Sequence, residues 1–216
     1  MPTNEMQKLD DLEAALYALA SWHIQSPDSL ALSSLQEALD EWPVPDDRHT
    51  LRGLDHIRHS FDTAETPQDI HQDMDQLYGI TARATVPPFE SVYVSPDGLL
   101  FEDVTLQVRD FYRTCGYEAP FLNREPDDHI GLELDFLGKL LGRAQESLAE
   151  GSGEELDLLT QARAFAAEHL FAWAPVFLAR AEAEAHTSFV KGLQALTWGT
   201  LVYWGQVIGP AFEEGS

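Results

Sequence analysis

The stretch from Glu125 to Leu148, EPDDHIGLELDFLGKLLGRAQESL, sets a knot of ionisable side chains directly before a long apolar-periodic run. Ile130, Leu134, Leu137, Leu141, Ala144 and Leu148 recur at three- and four-residue steps, and Leu132, Phe136 and Leu140 widen the stripe. That is the pattern of an α-helix with a broad buried face, and it is the cleanest in the chain. This helix is expected to be central. The same period governs most of the remaining sequence, and strict two-residue alternation is nearly absent, so the chain reads as all-α. A length of 216 residues supports one sizeable core, and a single all-helical domain over 1–216 is expected.

Upstream, Leu9, Leu12, Leu16, Leu19 and His23 mark a first helix. Ser26-Pro27-Asp28 reads as an N-cap with proline at the first helical position, ahead of Leu32, Leu35, Leu39 and Trp42 and an end near Pro43. Leu51, Leu54, Ile57 and Phe61 mark a third helix, and Thr66-Pro67 repeats the cap-and-proline device before Ile70, Met74, Leu77 and Tyr78, with Gly79 closing it. From 79 to 98 the pattern lapses, and Pro87, Pro88 and Pro96 exclude a continuous helix. A Pro-rich loop of that length is a binding element or disordered, and Phe89 and Tyr93 favour order. Val104, Val108, Phe111 and Cys115 restart a helix that Gly116 ends. Downstream, Gly151-Ser152-Gly153 is a surface turn, and Leu156, Leu159, Ala162, Ala166, Leu170 and Trp173 predict a helix up to Pro175. The last helix is apolar on two faces, Phe189, Leu193, Leu196 and Tyr203 on one and Trp198, Leu201, Trp204 and Ile208 on the other, and is expected to be enclosed by protein. The segments 79–98 and 149–153 are the places where helices could exchange between chains, so a monomer and a domain-swapped dimer both stay open.

Thirty-seven acidic against 13 basic residues give a net charge of −24, which repels nucleic acid and anionic lipid and either favours cationic partners or serves solubility. The single cysteine, Cys115, excludes an intramolecular disulfide and a multi-cysteine metal centre within one chain. Residues 1–11 carry Glu5, Asp10 and Asp11 and no apolar core, so no secretory signal is expected and the cytoplasm is the default location. The uncharged run 192–212 approaches the length of a membrane span but holds Gln194, Gln206 and Pro210, so a buried helix fits it better and no stable membrane insertion is expected.

Several readings of the acidic-histidine tract stand side by side. Pro126 in a first helical turn would place Asp127 and Asp128 among free backbone N–H groups, where carboxylates cap and complement the helix dipole. His129 and Glu133, four apart on one face, would form a charged pair or a shared site. Asp128, His129 and Glu133 are acceptable metal ligands, although their spacing matches no ligand motif and no metal or other cofactor is expected. Hydrolysis, including a metal-dependent form, lacks a nucleophile in a supporting context, and no phosphate-cradling loop is present, so an enzyme is disfavoured. The remaining histidines, His49, His56, His59 and His71, lie in polar stretches and are expected to be solvated. A peptide-binding groove asks for aromatic anchors and acidic groups, which Phe89, Tyr93, Glu90, Glu125, Asp128 and Glu133 would supply, the carboxylates pairing with guanidinium groups.

Glu125-Pro126, Asp128-His129 and Glu133-Leu134 resemble the E-P-x-D-H-x-x-x-E-L signature of the TorD/DmsD/NarJ-type redox-enzyme maturation chaperones. Pro87-Pro88-Phe89-Glu90-Ser91-Val92-Tyr93 resembles the loop motif of that family, Phe111-Tyr112 with Gly116 its F-Y-x-x-x-G helix end, and His169-Leu170 with Trp173, Pro175 and Phe177 its H-L-x-x-W-x-P-x-F stretch. These motifs follow in the family's order between Pro87 and Phe189; the first eighty residues match only as helices. The resemblance implies a TorD-like, non-enzymatic helical chaperone in the cytoplasm. Its client would be the twin-arginine signal peptide or N-terminal region of an apo molybdoenzyme catalytic subunit, held until cofactor insertion. The implied binding residues are Glu125, Pro126, Asp128, His129 and Glu133 with Pro88, Phe89, Glu90, Ser91 and Tyr93; phenylalanine at 89 departs from members with tryptophan or tyrosine there. A small-molecule or nucleotide-binding protein of the same fold is the alternative, because fold does not fix the ligand.

Overall fold

The computed structural model describes residues 3–79, 84–95, 100, 103–120, 126–210 and 212. In chain order the helices are α1 (Thr3–Ile24), α2 (Ser29–Ala38), α3 (Arg48–Asp62), α4 (Pro67–Tyr78), α5 (Glu90–Val94), α6 (Asp103–Thr114), α7 (Ile130–Glu150), α8 (Glu155–Phe165), α9 (Phe171–Glu184) and α10 (Ser188–Val207). No strand occurs among the described residues, and the all-α reading holds; one isolated antiparallel bridge, Phe89 to His129, is the sole extended pairing among them.

Helix α10 rather than α7 is the innermost element. It packs against α3, α9, α1 and α4, and most of its residues are buried on every side, whereas α7 lays its stripe against α1 and α8 and keeps Glu146 and Glu150 in solvent. A clean stripe implies an exposed opposite face, so periodicity marks a helix at the edge of a core and all-round apolarity marks its centre. The crossing of α3 and α10 is close enough that a Cβ on Gly199 would fall 2.2 Å from Thr50 Oγ1. No helix among the described residues is long and apolar enough to cross a membrane.

Helix boundaries follow local chemistry. Thr66 and Asp69 form a reciprocal capping box with Pro67 in the first turn of α4, as the sequence suggests. The cap of α2 is Asp28, which accepts from Ala31 N at 2.8 Å, so Pro27 lies outside that helix and Ser26 bonds His71 instead. A five-residue helix, α5, interrupts the expected 79–98 loop. The helix expected to stop at Pro175 does not stop there: a π turn at 166–170 separates α8 from α9, and Pro175 lies inside α9. Burial of Trp173, Phe177 and Leu178 offsets the hydrogen bond that proline removes. The turn at Gly151, with φ +70°, is a left-handed helix end.

Candidate functional site

The start of α7 is capped by His129, not by the aspartates before it. His129 Nδ1 accepts from Gly131 N at 3.0 Å, and Pro126 stands outside the helix. Asp127 and Asp128 turn away from α7 to tie down its neighbours. Asp128, 0 % exposed, accepts from Ser91 N and from Thr105 Oγ1, both at 2.8 Å, joining α5 and α6. Asp127 pairs with Arg109 of α6. The backbone completes the clasp: Glu90 N donates to Asp128 O and Ile130 N donates to Pro88 O, both at 2.9 Å, so the Pro88–Glu90 strip lies antiparallel to 128–130.

Two more acidic side chains lie behind this strip. Glu90, 2 % exposed, meets His169 Nδ1 at 3.1 Å, His169 lying within the π turn. Burial pushes the Glu90 carboxyl above its ordinary value, with His169 opposing and Asp128 adding to the push. Glu133, 0 % exposed, accepts from Trp173 Nε1 at 3.2 Å, and its other oxygen has no partner among the described residues. Burial, then Glu90 and Asp128, hold its carboxyl well above the usual range, with the hydrogen bond from Trp173 opposing. Glu133 therefore pairs with Trp173; the charged pair with His129 read from the sequence does not form.

On the other side of the strip lies a cleft of about 560 Å³ between the end of α1, α4 and the Phe89–His129 bridge. Phe89 and His129 form one wall, their rings edge to face at 5.2 Å. His23 and Ile24 of α1 with Gln25 and Ser26 beyond its end, and His71, Met74, Asp75 and Tyr78 of α4 with Gly79 at its end, form the rest. Gly131 lets α1 approach this closely, because a Cβ there would meet Ile24 Cγ1 at 2.6 Å and Ala20 O at 2.9 Å. Burial lowers the pKa of His129 to about 4, and burial followed by the nearby His129 lowers that of His23 to about 3, so both rings are neutral at pH 7. Among the described residues no group of three or more histidine, cysteine or acidic side chains could hold a metal ion.

Of the residues singled out in the sequence, Phe89 and His129 line the cleft. Pro88, Glu90, Ser91, Pro126, Asp128 and Glu133 are buried behind it. Tyr93 faces α9, its ring stacked on Trp173 at 5.4 Å and its hydroxyl donating to Pro87 O at 3.0 Å. Glu125 lies outside the described residues. The α1 and α4 walls went unread in the sequence, because His23 sits at a regular stripe position of α1 and passes as a core residue. His49, expected in solvent, is buried with its ring flat on Trp198 at 5.1 Å.

A family model described as nitrate reductase delta subunit matches residues 21–179. The chain is 27% identical over 191 residues to "Chaperone protein TorD" of Vibrio vulnificus, covering 82% of this chain and 85% of the relative. It is 28% identical over 206 residues to "Tat proofreading chaperone DmsD" of Salmonella typhi, covering 93% of each. A "Probable Tat proofreading chaperone DmsD" of Haemophilus influenzae is 31% identical over 137 residues, 63% of this chain and 61% of that one.

Proposed function

Because the chain belongs to the nitrate reductase delta subunit family, whose similar members are named as chaperones rather than enzymes, we propose that its cleft receives a client segment during maturation of a redox enzyme. The client is the twin-arginine signal peptide or N-terminal region of an apo molybdoenzyme subunit, and the protein holds it in the cytoplasm. The observation that supports this reading most is the clasp of the loop onto the tract at Phe89–His129, which builds one wall of a cleft lined by apolar and polar groups together.

The buried carboxylates enter this function differently from a direct salt bridge. Glu90, Asp128 and Glu133 are turned inward and engaged, so they position Phe89 and His129 rather than meet guanidinium groups. Attraction for a cationic client comes from the net charge of −24 and from Asp75 at the cleft rim. An exposed pair of that kind contributes only about 0 to 1 kcal/mol, so apolar contact supplies most of the affinity, with Ile24 the exposed apolar side chain of the cleft and Phe89 and Met74 nearly covered beneath it.

Fluorescence anisotropy with a labelled twin-arginine signal peptide tests the reading. Saturable binding that weakens moderately with salt, with Asp128→Asn and with a scrambled peptide is expected. Absence of saturable binding across several such peptides from the host would sink it.

A further inference from the structure

We infer that His129 reads the client through a fixed hydrogen-bond donor, its Nε2–H, which takes a main-chain carbonyl of the bound segment and turns away cationic groups. The inference rests on the client reading of the cleft and adds which chemistry one wall selects.

Gly131 N donates to His129 Nδ1 at 3.0 Å, so Nδ1 must carry a lone pair. A neutral imidazole has one N–H, and with Nδ1 accepting, the proton resides on Nε2. The ring is neutral in the first place because burial lowers its pKa to about 4. Moving the proton to Nδ1 would set N–H against N–H at the start of α7 and abolish the cap. A structural hydrogen bond on one edge of the ring thus dictates the polarity of the other edge.

That other edge belongs to the cleft. His129 is half-buried, its ring packs edge to face with Phe89, and Nε2 has no hydrogen-bond partner among the described residues. Apart from the exposed Gln25 side chain at the rim, the other polar groups at the cleft are committed. Tyr78 Oη accepts from Gln194 Nε2 at 2.6 Å and lies 3.3 Å from His23 Nδ1, while His23 Nε2 lies 2.9 Å from Thr197 Oγ1. Thr197 Oγ1 in turn donates to Leu193 O at 2.8 Å. His71 is held between Ser26 at 3.0 Å and Asp75 at 3.3 Å. Among these groups His129 Nε2–H is the donor still without an acceptor. A guanidinium or ammonium group carries donors only and cannot satisfy it. A peptide carbonyl can, and the cationic groups of the same segment are left to the Asp75 side.

Two measurements on the full chain test this. Long-range ¹H–¹⁵N correlation of the histidine rings, with His129 assigned by its loss in His129→Ser, is expected to report the Nε2–H tautomer throughout pH 5.5 to 8. A ring protonated at Nδ1, or charged in that window, overturns the inference. In the peptide titration, His129→Ser keeps a neutral capping side chain but removes the reaching donor. Its affinity should fall about tenfold, the worth of one hydrogen bond, while its denaturation midpoint stays near that of the wild type. Unchanged affinity overturns the donor role. If the wild type binds no peptide at all, the client reading falls, and with it the carbonyl; the tautomer measurement still decides whether the donor exists.

Discussion

At the start of α10 the adjoining Thr187 Oγ1 accepts from Val190 N while carboxylates from α4 and from the turn before it hold the N–H groups of 186–189, whereas at the start of α7 the cap is the adjoining histidine and the nearby carboxylates leave to bind elsewhere. Asp73 of α4 accepts from Thr187 N and Thr187 Oγ1, each at 2.7 Å, and from His186 N at 3.0 Å. Glu65 accepts from Ser188 N at 2.7 Å and Phe189 N at 3.0 Å. Every acid there serves the helix end, and the end is closed. At α7 the acids serve the loop, the cap is a single imidazole, and the ring's far edge faces a cleft. Acidic groups beside a helix start are thus structural when they converge on it and site-building when they diverge from it.

Removing the converging acid should have the largest effect. Asp73→Ala strands at least two main-chain donors at a site where Asp73 is 4 % exposed, and should lower the free energy of unfolding in urea by about 3 kcal/mol. Peptide affinity of the folded fraction should be unchanged; a selective loss of affinity would erase the contrast between the two helix starts. Asp128→Ala should cost less stability, about 2 kcal/mol, but release the 88–94 strip, seen as faster amide exchange there and a peptide affinity down at least tenfold. Protected exchange in that variant would show that Asp128 does not hold the loop.

The pH dependence separates the groups further. His23 and His129 have depressed pKa values in the fold, so their unfolded forms take up protons first; the stability that they contribute is complete above about pH 6.5 and is lost as pH falls towards about 4 for His129 and about 3 for His23. Glu133 acts with the opposite sign. Its raised carboxyl favours the fold at acidic pH, and that contribution is lost as pH rises through the folded value. Glu133→Gln should therefore gain on the wild type as pH rises above the ordinary carboxylate range, the smallest of these effects. A difference in unfolding free energy that is flat with pH would place the charge of Glu133 outside the cluster.

Much of the fold was legible because helix type depends on local periodicity and capping, as the Thr66–Asp69 box and the Ile130–Leu148 stripe illustrate. The π turn was not, since nothing local in 166–170 marks it and the contact of His169 with Glu90 joins residues far apart in sequence. In the site, the tract and the 87–93 motif were readable as partners, but the direction of each carboxylate was not: Asp127 and Asp128 fit the start of a helix in sequence, and only the arrival of Ser91, Thr105 and Arg109 turns them away. The walls from α1 and α4 are separated from the tract by more than forty residues and carry no motif.

Amide hydrogen exchange of the wild type with and without a saturating twin-arginine peptide tests the central claim most directly. Protection gained at 88–92 and 129–132, together with 23–26 and 74–79, and none at 186–190, is the predicted result. Protection confined to surfaces away from these segments, or appearing equally at the start of α10, would contradict it.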